Sequence, residues 1–236
     1  MPDLDLGHTR LIISDAMDAG LTVPQTAYVL ATAFWETNRT MQPVEEAYYL
    51  GSRAEAYRRR LRYYPWHGRG FVQLTWESNY IRAGAALGVD LISDPDRAME
   101  PAISARVLVI GSRDGWFTGR RLSHYITASG SDYINARRII NGSDCAAQIA
   151  AIADDYLHAL TPAPDYPMVR RGMRGAAVAQ AQSLLSANGY PPGALDGIFG
   201  TRTDLAARAF QRSAGLAADG VIGPATWAAL TPDLED

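Results

Sequence analysis

Glu36, Glu45 and Glu46 are the side chains of this 236-residue sequence whose spacing best suits chemistry. Thr22-Val23-Pro24-Gln25 reads as a capping box with a proline in the first helical turn. Ala27, Leu30, Ala31 and Phe34 then repeat at helical spacing, so the helix runs to about Thr37. Glu36 falls at its C-terminal end, aligned with Val29 and Ala33 and beside Trp35. An apolar setting and the negative end of the helix dipole both favour a protonated carboxyl, the form a general acid needs. Glu45 and Glu46 follow nine and ten residues on, after Pro43 has interrupted the helix. Two carboxyl groups facing one bond, about 6.5–9.5 Å apart with water between, are what inverting cleavage of a glycosidic bond requires. Plainer roles compete. Glu36 could be a boundary residue turned to solvent, and the acidic pair could cap a helix read over Ala47–Arg62.

Next comes Tyr63-Tyr64-Pro65-Trp66-His67-Gly68-Arg69-Gly70-Phe71-Val72-Gln73-Leu74-Thr75. Aromatics around glycines, followed by short alternation, suggest a small hairpin lining a groove. Sugar rings pack on aromatic faces, although aromatics serve cores more often. Gly68-Arg69-Gly70 lacks the third glycine and the flanking order of a dinucleotide fingerprint. Thr75 has the residue type and position of an N-cap for a helix starting at Trp76. His8, His124 and His158 have no partner at a catalytic or metal-binding spacing and read as surface or boundary residues. Arg58-Arg59-Arg60-Leu61-Arg62 reads as a solvated helix face, and Cys145 as a packed, inert thiol.

Composition narrows the field. The sequence is 47% apolar and 20% charged, a globular mixture. All 22 basic residues are arginine, and the net charge is −3, so no basic excess favours nucleic acid. A lone cysteine forms no internal disulfide, and no Cys/His cluster suggests a zinc site. The longest uncharged apolar run, about Val107–Gly111, is far short of the roughly 20 residues a membrane span needs. Met1-Pro2-Asp3-Leu4-Asp5 places acids where a secretion signal would have bases, so synthesis and folding in the cytoplasm are expected.

Three prolines within Thr161–Pro167 read as a semi-rigid linker between a domain over residues 1–160 and a second over 168–236. The second contains an internal repeat. Leu195-Asp196-Gly197-Ile198-Phe199-Gly200-Thr201-Arg202-Thr203 returns 23 residues later as Ala218-Asp219-Gly220-Val221-Ile222-Gly223-Pro224-Ala225-Thr226. Each Asp-Gly supplies a turn, and each later glycine precedes a helix. Three helices are predicted: about Ala176–Asn188, stopped by Gly189; Thr201–Ser213, stopped by Gly215; and Pro224–Leu230. Val178, Ala181, Leu184 and Leu185, then Leu205, Ala209 and Phe210, are their expected inward faces.

Arg171-Gly172-Met173-Arg174-Gly175, Gly189-Tyr190, the two Asp-Gly turns and Ala209-Phe210-Gln211-Arg212 together resemble the peptidoglycan-binding domain 1 family. That resemblance implies a three-helix wall anchor without chemistry of its own. Six arginines against Asp196, Asp204 and Asp219 between Met168 and Leu230 would suit an anionic wall polymer, or be merely solvated. Upstream, Trp35-Glu36-Thr37, Met41-Gln42-Pro43-Val44-Glu45-Glu46, Gly68–Thr75 with Asn79-Tyr80, Gly115-Trp116-Phe117-Thr118-Gly119 and Arg138-Ile139-Ile140-Asn141-Gly142 resemble glycoside hydrolase family 19. The likeness is to its phage and prophage endolysin branch. It implies a mainly α-helical, lysozyme-like catalytic domain with a small hairpin at the groove, cleaving a β-1,4-linked N-acetyl sugar polymer with inversion.

The resemblance also assigns roles. Glu36 matches the general acid, although Trp35 replaces a customary histidine. Glu46 matches the general base, with Glu45 the alternative and standing where a basic residue is common. Thr75 matches the hydroxyl that holds the attacking water, Asn141 a substrate-contacting asparagine, and Gln73 and Tyr80 further groove residues. His67 stands where a tyrosine is common. No metal or organic cofactor is implied. The expected partner is bacterial peptidoglycan, met by a monomer that neither binds nucleic acid nor inserts into membranes. The expected setting is the host cytoplasm, with the wall reached after holin-type release. A chitinase and a non-catalytic wall-binding protein are the rival readings.

Overall fold

The computed structural model describes residues 2–161 and 166–231, which fall into two compact units divided after Thr161. The Pro-rich stretch read as a linker lies partly outside the described residues, at 162–165. Both units are mainly helical, and no described helix is long and apolar enough to cross a membrane.

In the first unit, α1 (Thr9–Asp18) leads into α2 (Val23–Glu36). The capping box forms: the Thr22 hydroxyl accepts from Gln25 N–H, and the Gln25 carboxamide accepts from Thr22 N–H. Every residue from Thr26 to Ala33 is buried, so α2 is enclosed on all sides and presents no single inward face. It packs on α7 (Ala146–Leu160), on α1 and on α5 (Pro101–Asp114). Burial of this kind is the main stabilising term, about 25 cal/mol per Å² of apolar surface. Enclosure also fixes where the end of α2, and hence Glu36, can point.

The helix expected over Ala47–Arg62 is broken up. Ala47 takes a left-handed conformation, a 3-10 stretch covers Tyr48–Arg53 with Gly51 off helical geometry, and α3 spans only Ala54–Arg58. The expected hairpin differs as well. Strand β1 (Val44–Glu45) pairs antiparallel with β2 (Arg69–Gly70), so the partner of the alternating segment lies more than 20 residues upstream. Arg69 and Leu74 close a tight loop by exchanging backbone hydrogen bonds. Gly70 is needed there: its φ is +82°, and a Cβ would sit 2.3 Å from Ser104 Oγ. Thr75 is not the side-chain cap of α4 (Glu77–Leu87). Trp76 precedes that helix, with φ of 77°, and the Thr75 hydroxyl donates instead to Gln73 O. A second pair, β3 (Ile126–Thr127) with β4 (Gly130–Ser131), leads into the short α6 (Tyr133–Ala136). Cys145 is exposed in a left-handed residue before α7, not packed.

The second unit holds α8 (Ala176–Ala187), α9 (Thr201–Ser213) and α10 (Pro224–Leu230) around Val169, Val178, Leu185, Phe199, Phe210, Ile222 and Trp227. Its repeat is a hydrogen-bonding device. The buried Gln182 carboxamide donates to Asp196 Oδ1, Ile198 O and Thr203 Oγ1, and accepts from Gly197 N–H. Gln211 does the same with Asp219, Val221, Thr226 and Gly220. Each Asp-Gly turn is thus tied to the preceding helix. Leu205 departs from expectation. The inward face of α9 is Thr203, Ala206, Ala207 and Phe210, and Leu205 stands 60% exposed.

Candidate active site

Glu36 is the last residue of α2, and Thr37 fixes the chain beyond it by donating to Ala33 O and accepting from Met41 N–H. The sequence suggested an apolar setting for its carboxyl; the structure supplies a cation. Arg137 Nη1 donates to Glu36 Oε1 at 2.7 Å, from a position 101 residues away. The arginine side chain is 5% exposed and the glutamate 18%. Arg137 follows α6 and is also tied to Asp144 O through Nε. One turn on, Asn141 N–H donates to Arg137 O. Asn141 itself is exposed, with its Oδ1 accepting from Gly142 N–H. Arg137 therefore joins the proposed acid to the loop carrying Asn141. Nothing at that separation in the sequence marks the pair.

Glu45 and Glu46 part at the edge of β1, because successive residues of an extended chain point to opposite faces. Glu45 turns to a buried basic cluster. Arg58 Nη2 lies 2.6 Å from its Oε2, His67 Nε2 2.7 Å from Oε1, and Arg69 Nη2 3.7 Å from Oε1. Glu46 is held differently: Tyr63 OH donates to Oε1 and Gly68 N–H to Oε2, both at 2.9 Å. Burial and the bond to Glu46 push the Tyr63 phenol up to about 12, so it stays a donor across neutral pH. Arg58 links the two acids, since its Nε donates to Glu46 O at 2.7 Å. This corrects the reading of the arginine run as a solvated face: Arg58 is buried, while Arg59 pairs outside with Glu55. Its position at the end of a broken helix, hidden in sequence, explains the difference.

His67 is buried, and desolvation first of all holds its imidazole below the usual histidine range. A neutral ring donates from Nε2 to Glu45, while Nδ1 has no partner among the described residues. Tyr80 departs from its expected place in the groove. It is fully buried, its OH donates to His67 O and accepts from Arg69 Nη1, and burial pushes that phenol up to about 12. It supports the cluster from beneath and reaches no solvent. Gln73 is half-buried with φ of 53°, and its carboxamide donates to Val44 O and Gly70 O, clamping β1 to β2. Thr75 is half-buried, and its donated bond to Gln73 O leaves the oxygen lone pairs free to accept. His8 and His124 lie apart from this cluster, as boundary and exposed residues, and His158 is exposed on α7.

Residues 16–117 match the family model described as Chitinase class I, and residues 174–230 match a peptidoglycan binding domain family. Chitinase 8 of Oryza sativa subsp. japonica is 51% identical over 39 residues, 16% of this chain and 15% of that protein. A spore cortex-lytic enzyme of Bacillus cereus is 42% identical over 59 residues, 25% of this chain and 23% of that protein. The chain thus spans less than a quarter of the length of either relative. Among solved structures, a Burkholderia AP3 phage endolysin is 43% identical with a TM-score of 0.27, covering 28% of this chain and 25% of that one.

Proposed function

For a chain that carries a glycoside hydrolase family 19 domain ahead of a peptidoglycan-binding domain, we propose hydrolysis of β-1,4 bonds in the glycan strands of bacterial peptidoglycan. The observation that carries this reading is the contrast between the three carboxylates. Glu45 is committed to Arg58, His67 and Arg69. Among the described residues the Glu46 carboxylate keeps only a phenol and one backbone N–H as donors, and Glu36 has one oxygen on Arg137. Glu36, protonated on Oε2 in the substrate complex while Arg137 holds Oε1, gives that proton to the departing glycosidic oxygen as the C–O bond breaks. Glu46 takes a proton from water held partly by the Thr75 hydroxyl, and that water attacks the anomeric carbon from the opposite face. Asn141, exposed beside Arg137, contacts the sugar. The second unit keeps the enzyme on its insoluble substrate, and the setting is lysis of a host cell by a phage-type enzyme made in its cytoplasm.

The chitinase match supports a second reading, in which the same carboxylates act on an N-acetylglucosamine homopolymer. Mass spectrometry of soluble products from purified peptidoglycan and from chitin oligomers, with Glu36→Gln alongside, separates the two. Reducing-end muropeptide fragments that vanish in the variant support the first. Turnover of chitin oligomers alone selects the second, and binding without fragments removes both.

A further inference from the structure

The second unit is an approximate repeat, so its two copies can be read against each other. What both copies keep is what the fold needs: the buried glutamines, the Asp-Gly turns, and Thr203 and Thr226, which bond those glutamines. The first copy adds residues beyond these, among them Tyr190, which packs edge-on against Phe210 and donates its hydroxyl to Ser213. From Gly189 to Asp196 is seven residues, whereas from Gly215 to Asp219 is four, so the first copy carries three extra residues around Pro191-Pro192-Gly193. Tyr190 stands where the second copy has Leu216, Arg202 where it has Ala225, and Leu205 where it has Ala228.

These additions meet in space. Gly189, Tyr190, Pro191, Arg202 and Leu205 line an open groove of about 300 Å³ between the end of α8 and the start of α9. Leu205 is an apolar side chain left 60% in water at no benefit to the core. Arg202 is exposed, and among the described residues no acid lines the groove and its guanidinium meets no carboxylate. By contrast, Arg208 on the same helix pairs with Asp204. An exposed apolar wall beside an unpaired guanidinium suits a ligand with small alkyl groups next to a carboxylate, which an arginine fork binds bidentately.

We propose that this groove is where the second unit holds peptidoglycan, with a carboxylate of the stem peptide on Arg202 and its alanine methyl groups against Leu205, Pro191 and Tyr190. The inference rests on the reading of this unit as a peptidoglycan binder and names the site and the part of the polymer bound. The fold itself accepts alanine at the equivalent positions of the second copy, so Arg202→Ala and Leu205→Ala remove the contacts and leave the core intact.

The test is co-sedimentation of the full chain, in a Glu36→Gln background, with purified sacculi and with sacculi stripped of stem peptides by an amidase. Thermal melting of every variant is recorded alongside. Arg202→Ala with Leu205→Ala is expected to weaken binding to intact sacculi at least tenfold at unchanged melting temperature. Arg212→Ala, an exposed arginine away from the groove, is expected to stay within twofold. Stripped glycan should bind the parent chain no better than intact sacculi bind the double variant. Undiminished binding by the double variant overturns the groove while leaving the wall-binding reading in place. Equal binding of the parent to both polymers overturns the stem peptide as occupant. A parent chain that does not sediment overturns both readings together.

Discussion

Arg137 and Glu36 form an ion pair at 2.7 Å between the end of α2 and the 3-10 turn after α6, 101 residues downstream, with both side chains largely withdrawn from water. Such a pair gains little over an apolar contact of the same shape, because desolvation offsets the Coulomb attraction. Breaking it is another matter, since the remaining charge keeps its desolvation and loses its partner. The pair is therefore better understood as fixing where the Glu36 carboxyl points than as a source of stability.

Arg137→Met should strand the Glu36 carboxylate at a cost of about 3–5 kcal/mol. At roughly 2–4 °C per kcal/mol for a domain of this size, the melting temperature should fall by about 6–20 °C. Adding Glu36→Gln to Arg137→Met should recover part of that loss. Differential scanning calorimetry of the two singles and the double measures the coupling, and strictly additive losses would contradict an interacting pair.

Glu45→Gln and Glu46→Gln should fail in different ways. Removing the Glu45 charge leaves Arg58, His67 and Arg69 clustered without their anion, so the expected loss is mainly in melting temperature. Glu46→Gln keeps a hydrogen-bonding side chain of the same shape but cannot take a proton from water. Turnover should drop at least a hundredfold at nearly constant stability. Steady-state kinetics with melts on both variants decide it; the opposite pattern would transfer the base to Glu45.

His67 predicts a pH dependence of stability. Burial holds its folded pKa below the unfolded value of about 6.5. Between those values the unfolded chain binds more protons than the folded one, so stability rises with pH across that window. The His67 contribution is complete above about pH 6.5 and is lost as pH falls from there through the lower folded value. Melting curves from pH 8 to 5 should show this slope in the parent and a flatter one in His67→Phe. Identical slopes would assign the titration to other groups.

Gln182→Glu should unfold the second unit selectively. A carboxylate there cannot donate to Ile198 O or Thr203, and it faces Asp196. Each orphaned buried partner costs about 1–3 kcal/mol, which a unit this small withstands poorly. Limited proteolysis should then degrade residues 166–231 and spare the first unit, and Gln211→Glu should behave alike. A melting profile unchanged from the parent would rule out the glutamine ties as supports of the turns.

Gly70→Ala tests the loop under the site. A methyl group would meet Ser104 Oγ at 2.3 Å and Ala98 O at 2.9 Å, at a φ that alanine disfavours. The Phe71 N–H bond to Ser104 Oγ would be displaced. A fall in melting temperature of several degrees is expected, together with lowered turnover as β2 shifts under Glu45 and Glu46. A variant as stable as the parent would show that the loop relaxes freely.

Local signals in the sequence were sufficient for much of this molecule. The capping box of Thr22 and Gln25 starts α2 where expected, and the three helices of the second unit end within a residue of prediction, because caps, Asp-Gly turns and helical periodicity act within a few residues. Glu36 was legible at the end of α2 for the same reason. Tertiary structure decided what it, Glu45 and Glu46 touch. Arg137 reaches Glu36 across 101 residues, and Arg58 is buried at the end of α3, after Ala47 and Gly51 have broken the expected helix. Tyr80 lies beneath the cluster, and the inward face of α9 excludes Leu205. Partners of a charge are set by packing between distant segments, and no periodicity along the chain encodes them. The residues that could do chemistry are written in order along the sequence; the cations and donors that hold them in place are assembled only when the chain folds.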